Sequence, residues 1–363
     1  MLKPFRVLSL DGGGMRGTYT ATYLDRVAHA FAYRRGAERL DIGGAFDLIV
    51  GTSTGGIIGC ALAAIVPMDR VVDLYRRHGP EIFERRLPPG PGAGLVGDLL
   101  KRPDALKRGE VALRDALANV LGDLTLRNIY DRRHIALAIT AVELSQHRSW
   151  VFKTPHLPNT SHRDDAYRLV DVCMATSAAP VYRSLAALDH PDGGTGFNVF
   201  VDGGLWANNP VLVGLIDALE MTESGRPIHI FCLGTCPRPA GEQVPRNAVH
   251  RGLGEWQFGG AAASLSIDAQ EFAYDNMARM LAKHTGRDCK VVRFPREQTP
   301  AALMPFLDLD DTSEAAAEAL INQARTDADM TNSRCGRSDD LDGQLICQLF
   351  HSAPIADAAS PTS

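Results

Sequence analysis

The sequence predicts an α/β protein built as a three-layer sandwich, with a central, mostly parallel sheet covered by helices on both faces. Three observations predict it. Short apolar runs alternate with longer helical patterns along the chain. Two glycine-rich turns near the amino end each join an apolar strand to a helix. No internal repeat and no sharp linker divides the chain, so a single domain over residues 5–330 is expected, followed by a C-terminal extension at 331–363.

Residues 6–10 read as a buried strand that ends at Asp11-Gly12-Gly13-Gly14-Met15-Arg16-Gly17, and a helix follows over 18–33. A second strand at 46–50 runs into Gly51-Thr52-Ser53-Thr54-Gly55 and a small-residue helix over 54–64. Residues 69–78 look helical, and the Pro/Gly run at 87–94 is expected to be a loop. A helix at 111–121, a strand at 135–142 and a helix at 167–176 come next, the last closed by Ser177-Ala178-Ala179-Pro180. A strand at 198–201 meets Asp202-Gly203-Gly204, and Asn208-Asn209-Pro210 reads as a helix start, with a capping amide before proline. Strands at 227–233 and 290–294 and amphipathic helices at 264–282 and 313–328 complete the pattern. The tail from about Ser352, rich in Ala, Pro, Ser and Asp, is expected to be disordered.

The chain has 363 residues, 45% hydrophobic and 22% charged, enough to bury a sizeable core. A net charge of -5 gives no reason to expect DNA or RNA as partners. The amino end has no signal-peptide apolar core, and the longest apolar stretch, 57–68, is broken by Pro67 and falls short of the ~20 residues that span a bilayer. Seven scattered cysteines without a C-x-x-C read as reduced thiols in a cytoplasmic protein. Cys232, Cys236 and His250 match no common zinc spacing, so no metal is expected.

Ser53 is the first candidate for chemistry. A serine between a strand and a helix, flanked by Gly51 and Gly55, is held up and out at the strand's end as a nucleophile elbow. The turn at Gly12, Gly13 and Gly14 allows two readings. Gly12, Gly14 and Gly17 fit a dinucleotide fingerprint, with Glu38 or Asp41 taking the ribose. Alternatively, unhindered backbone N–H groups there form an oxyanion hole, and adjacent parallel strands would bring both turns to one sheet edge. A serine nucleophile needs a base, and none of the eleven histidines lies in a catalytic signature. Asp202, at the end of an apolar strand and before two glycines, is the better candidate; burial would raise its pKa into a useful range. The competing reading, a turn aspartate satisfying local N–H groups, stays open on pattern alone.

These blocks together resemble the patatin-like phospholipase family: D-G-G-G-x-R-G at 11–17, G-T-S-T-G at 51–55, A-T-S-A-A-P at 175–180, and D-G-G with N-N-P at 202–210, in the family's order, with Leu309-Asp310-Asp311 also similar. The similarity spans about residues 6–328. It implies a Ser–Asp dyad carried by Ser53 and Asp202, an oxyanion hole at Gly12, Gly13 and Gly14 with Arg16 beside it, and hydrolysis of glycerophospholipid acyl esters without a cofactor. Gly204 stands where many members have alanine. The segments at 14–19 and 152–156 further resemble bacterial patatin effectors of cyclic-oligonucleotide antiphage signalling. That resemblance implies a cyclic di- or trinucleotide activator and action at the inner membrane surface, and leaves a homo-oligomer open. Arg132-Arg133-His134, Arg163 and Arg168 are the basic residues that could meet phosphates, though such patches are more often solvated faces. The alternatives are a constitutive lipid acyl hydrolase or acyltransferase and, more distantly, a dinucleotide-binding module.

Overall fold

The protein is described by a computed structural model covering residues 2–87, 93–191, 193–238, 241, 243–252, 256 and 260–356. At its centre β1 (Phe5–Leu10) lies between β2 (Leu48–Thr52) and β7 (Ile228–Leu233), parallel to both. β2 continues in parallel to β3 (Ala136–Glu143), and β7 to β8 (Cys289–Phe294). Beyond β3 the pairing turns antiparallel, with β4 (Arg148–Lys153) and β6 (Phe197–Asp202) on β3 and β5 (Ala186–Asp189) on β6.

Alternation along the central strands sorts their side chains into two cores. Leu8, Leu10, Ile49, Leu137, Ile139, Phe231 and Leu233 face one layer of helices. These are α1 (Gly17–Arg34), α2 (Thr54–Ala63), α3 (Met68–Ile82), α4 (Ala93–Leu121), α6 (Leu169–Thr176), α10 (Glu314–Arg334) and α11 (Leu341–His351). Phe5, Val7, Leu48, Val50, Ala136, Ala138, Ile228 and Ile230 face the other, which is built on α8 (Val211–Met221) and α9 (Gly260–His284). The expected three-layer α/β sandwich is therefore what forms.

Several elements differ from expectation. The helix expected at 111–121 begins at Ala93 and carries Pro103 inside it, so 93–94 of the expected loop are helical; residues 88–92 lie outside those described. α5 (Leu126–Arg133) opens with a capping box in which Thr125 and Asn128 exchange side-chain and backbone hydrogen bonds. The helix start at Asn208-Asn209-Pro210 falls between a single turn, α7 (Gly204–Ala207), and α8, where the Asn209 side chain accepts from the Val211 N–H. The tail holds on longer than its composition implies. Ala353 is buried, Ile355 bridges Leu40, and the Ala356 N–H donates to the Arg39 carbonyl; residues 357–363 lie outside those described. The expected boundary at 330 falls within α10, whose Asp327 accepts a hydrogen bond from Tyr19 of α1 and whose Thr331 hydroxyl shares one with that of Tyr23.

α9 is amphipathic, but turned unusually. Glu271 and Asp275 point inward to Arg293 of β8, while Leu265, Phe272 and Met280 stand 58%, 66% and 63% exposed. The ion pairs explain the inward carboxylates. Nothing among the described residues covers these three apolar side chains.

Candidate active site

The register of β3 explains how Ser53 and Asp202 meet across 149 residues. β2 pairs with β3 only as far as Thr52 opposite Thr140. β4 occupies the other edge of β3 from Ala138 to Glu143, so β6 takes up the edge that β2 leaves, beginning with Asp202 opposite Ala141. The last residue of β6 thus sits directly beyond the last residue of β2.

Ser53 follows β2 with φ 53° and ψ -123°, a left-handed conformation costly for a residue with a side chain, and it caps the amino end of α2. Its tightness rests on Gly55, where a Cβ would strike the carbonyls of Leu10 and Asp11. In this pose the Ser53 hydroxyl donates to Asp202 Oδ2 at 2.7 Å, while Asp202 Oδ1 accepts from the Gly204 N–H at 2.7 Å. Asp202 is 6% exposed. Burial raises its pKa to about 6, against the lowering pull of the hydrogen bonds from Ser53 and Gly204 and of the Arg183 charge. The carboxylate is therefore a stronger base than a free aspartate and still ionised at neutral pH.

Thr176, the last residue of α6, ties the two turns together. Its Oγ1 accepts from the Ser53 N–H at 2.8 Å, and its carbonyl accepts from the Gly203 N–H at 3.3 Å.

The first glycine turn is clamped from three sides. The Gly12 N–H donates to the Asn208 carbonyl at 2.9 Å, Thr235 Oγ1 donates to the Gly12 carbonyl at 3.0 Å, and the Met15 N–H donates to the Leu309 carbonyl at 2.9 Å. Gly14 takes φ 56° with Leu309 packed where a Cβ would lie, so no other residue fits easily. Gly13 and Gly14 line the same pocket as Ser53 and Asp202, and their N–H groups meet no protein acceptor among the described residues.

Gly12 and Arg16 depart from the expected oxyanion hole. The Gly12 N–H is already engaged. The Arg16 guanidinium is buried behind the loop, donating to the carbonyls of Gly13 at 3.4 Å and Cys236 at 3.5 Å. Both residues shape the turn; the free donors are the next two.

The pocket encloses about 840 Å³ of empty space, part of it open to solvent, and apolar side chains such as Ile57, Ile82, Phe83, Leu113, Ile267 and Leu309 dominate it. No histidine lines it among the described residues. Thr176, Asn208, Leu309 and Arg183 carry no local sequence signal of a place in this site. Three of them lie in or beside the family-like blocks, but their work depends on contacts between distant segments.

The dinucleotide reading fails on space and on partners. Asn208, Thr235 and Leu309 fill the crevice over Gly12 to Gly14, Gly17 packs against Thr54 and Tyr75, and Asp41 is bound to Arg133 and the Gly44 N–H. No group of His, Cys, Asp and Glu among the described residues could hold a metal, and Cys232 is buried within β7. Three of the basic residues named above are held by the protein: Arg133 binds the carbonyls closing α2, Arg163 lies over the Trp150 ring, and Arg168 pairs with Asp171, while Arg132 stands exposed. Thr154 and His156 form a buried network with Asp217 of α8, well back along β3 from the serine.

Comparison with known proteins agrees with this geometry. The family profile described as Patatin-like phospholipase matches residues 8–215, which include both glycine turns, Ser53 and Asp202. A cGAMP-activated phospholipase of Pseudomonas aeruginosa (strain BWHPSA011 / Pa011) is 34% identical over 278 residues, covering 76% of this chain and 74% of the relative. A cGAMP-activated phospholipase of Escherichia coli (strain TW11681) is 30% identical over 324 residues, covering 87% and 86%. Patatin-like protein 1 of Arabidopsis thaliana is 30% identical over 222 residues, covering 58% of this chain and 50% of the relative. With that profile and those relatives on a sheet that brings a turn-borne serine onto an aspartate, the chain belongs to the patatin-like phospholipase family.

Proposed function

We propose that the protein hydrolyses acyl esters of membrane glycerophospholipids with Ser53 as nucleophile and Asp202 as its base, under the control of a cyclic nucleotide. The observation that carries the catalytic part is the 2.7 Å hydrogen bond from the Ser53 hydroxyl to a buried carboxylate in an apolar pocket. Ser53 Oγ attacks the ester carbonyl carbon as its proton passes to Asp202 Oδ2. The N–H groups of Gly13 and Gly14 receive the oxyanion, helped by the positive end of α2. Collapse of the tetrahedral intermediate expels the alcohol, which takes the proton from Asp202. Water, deprotonated by Asp202, then cleaves the acyl-enzyme and frees the fatty acid. The chain supplies nucleophile, base and oxyanion donors, so turnover is expected to persist in EDTA. A fluorophosphonate probe should label the wild type; labelling that survives Ser53→Ala would overturn the nucleophile assignment.

Control by a cyclic dinucleotide is supported by the two bacterial relatives named for activation by cGAMP, which align over about three quarters or more of both chains. Phospholipid hydrolysis by the purified protein should be low alone and rise strongly with a cyclic dinucleotide. Equal rates with and without it would favour constitutive hydrolysis. Action from the cytoplasm at the inner membrane surface fits the outward apolar side of α9, a helix that also sends Ile267 into the pocket lining. No helix among the described residues is long and apolar enough to cross a membrane.

A further inference from the structure

Arg183 is out of place by ordinary rules of burial. It sits on the turn after Pro180, between α6 and β5, and is 6% exposed. It lines the catalytic pocket, whose walls are otherwise mainly apolar. Its guanidinium, including the buried Nε, has no hydrogen bond or ion pair among the described residues. The Phe83 ring lies 5.9 Å from its guanidinium carbon, a weak contact at that range. Glu110 and Asp202 act on it through space without touching it, and burial lowers its pKa to about 10, which leaves it charged at neutral pH. A buried cation is retained at a cost of several kcal/mol unless an anion completes it. Other buried and half-buried arginines show the contrast: a carboxylate holds Arg102, Arg133 and Arg293, while Arg16 donates to the Gly13 and Cys236 carbonyls and Arg6 to the Ser352 hydroxyl.

We propose that Arg183 is an anion subsite of the catalytic pocket, filled by the phosphodiester of the glycerophospholipid whose acyl ester is presented to Ser53. The subsite rests on the hydrolase reading above and adds a reason for selectivity. A guanidinium in an apolar wall binds a compact oxyanion strongly, because no water competes for it. Neutral esters would reach Ser53 without using it.

The experiment compares the full-length wild type with Arg183→Gln and Arg183→Lys on two substrates of equal acyl chain in the same micelles, a phospholipid and an uncharged monoacylglycerol. Each is assayed across a titration of cyclic dinucleotide. We expect Arg183→Gln to lose roughly 10- to 100-fold in kcat/KM on the phospholipid and no more than about threefold on the neutral ester, with Arg183→Lys in between. Equal losses on both substrates would overturn the proposal, because Arg183 would then act through Asp202 or the fold. Unchanged phospholipid hydrolysis would overturn it as well. A shift confined to the dinucleotide concentration needed for activation would assign the subsite to the nucleotide's phosphates instead. Removing an unpaired buried charge should leave the thermal midpoint equal or higher; if Arg183→Gln fails to fold, Arg183→Met serves in its place. Absence of wild-type hydrolysis on both substrates at every nucleotide concentration would count against the Ser53 reading, a separate failure.

Discussion

Asp202, at the end of β6, and Asp217, on α8, are both buried aspartates, yet their surroundings shift their pKa values in opposite directions. Asp202 is 6% exposed and Asp217 2%. Asp202 faces only a hydroxyl and a backbone N–H, and burial wins: its pKa rises to about 6. For Asp217 burial also pushes upward, but His156 at 3.2 Å and Lys153 at 2.6 Å outweigh it and hold the carboxyl below its ordinary value. Lys153 pairs with Ala138 and Asp202 with Ala141, so a few residues along β3 separate the raised carboxyl from the ion pair that depresses the other. At Asp217 two neighbouring cations reverse the upward push of burial that Asp202 keeps. On the proposed mechanism Ser53 needs no histidine, and the buried His156 is held by Thr154 and Asp217.

Substitutions should separate the two aspartates sharply. The largest effect is expected from Asp202→Asn, which keeps the shape and an acceptor for Gly204 but removes the base; esterase kcat should fall roughly a thousandfold or more. Stability should move the other way. The folded pKa of Asp202 is raised, so the native state holds more protons than the unfolded chain between about pH 4 and 6, and stability falls as pH rises through that window. The asparagine escapes this penalty and should unfold up to about 3 kcal/mol later at pH 7, measured by urea titration. Wild-type stability above Asp202→Asn at that pH would contradict the assignment.

Asp217→Ala should do the reverse. It strands Lys153 and the buried His156, and a loss of about 3–5 kcal/mol in unfolding free energy is expected. Hydrolysis of a soluble ester well below the melting temperature should stay within about twofold of wild type, since general-base chemistry is untouched. The Asp217 carboxyl is depressed, so its stabilisation is present above the unfolded carboxylate value and is lost only as pH falls below it.

Smaller effects test how the site is held. Thr176→Val leaves the buried Ser53 N–H without an acceptor, and about a tenfold loss in kcat with 1–3 kcal/mol in stability is expected. Gly204→Ala should be the mildest. The added Cβ would lie 3.1 Å from Asp202 Oδ1, a close contact met by a slight shift, so activity within about threefold is expected.

How much of this was legible in the sequence follows from range. Ser53 and Asp202 stand out because strand, turn and glycine signals are local, and the alternation of apolar strands with helices along the chain announces the sandwich. The pairing that joins them was not legible, since it depends on β2 ending at Thr52 and on β4 blocking the far edge of β3. β4 itself, Arg-Ser-Trp-Val-Phe-Lys, carried strand-forming residues that are easily passed over between turns. That the Gly12 N–H is already taken is not legible, because its acceptor, the Asn208 carbonyl, is 196 residues away. Arg183 carried no signal at all: an arginine after a proline turn reads as surface, and only the packed pocket makes it unusual.

The most direct test of the dyad is the rate of fluorophosphonate labelling of Ser53 as a function of pH in the full-length wild type and in Asp202→Asn. Because the base must be ionised to accept the serine proton, wild-type labelling should fall away as pH drops through about 6 and level off above it. Asp202→Asn should label far more slowly and show no such step. A wild-type step that persists unchanged in Asp202→Asn, or that vanishes on replacing a histidine, would contradict a two-residue site.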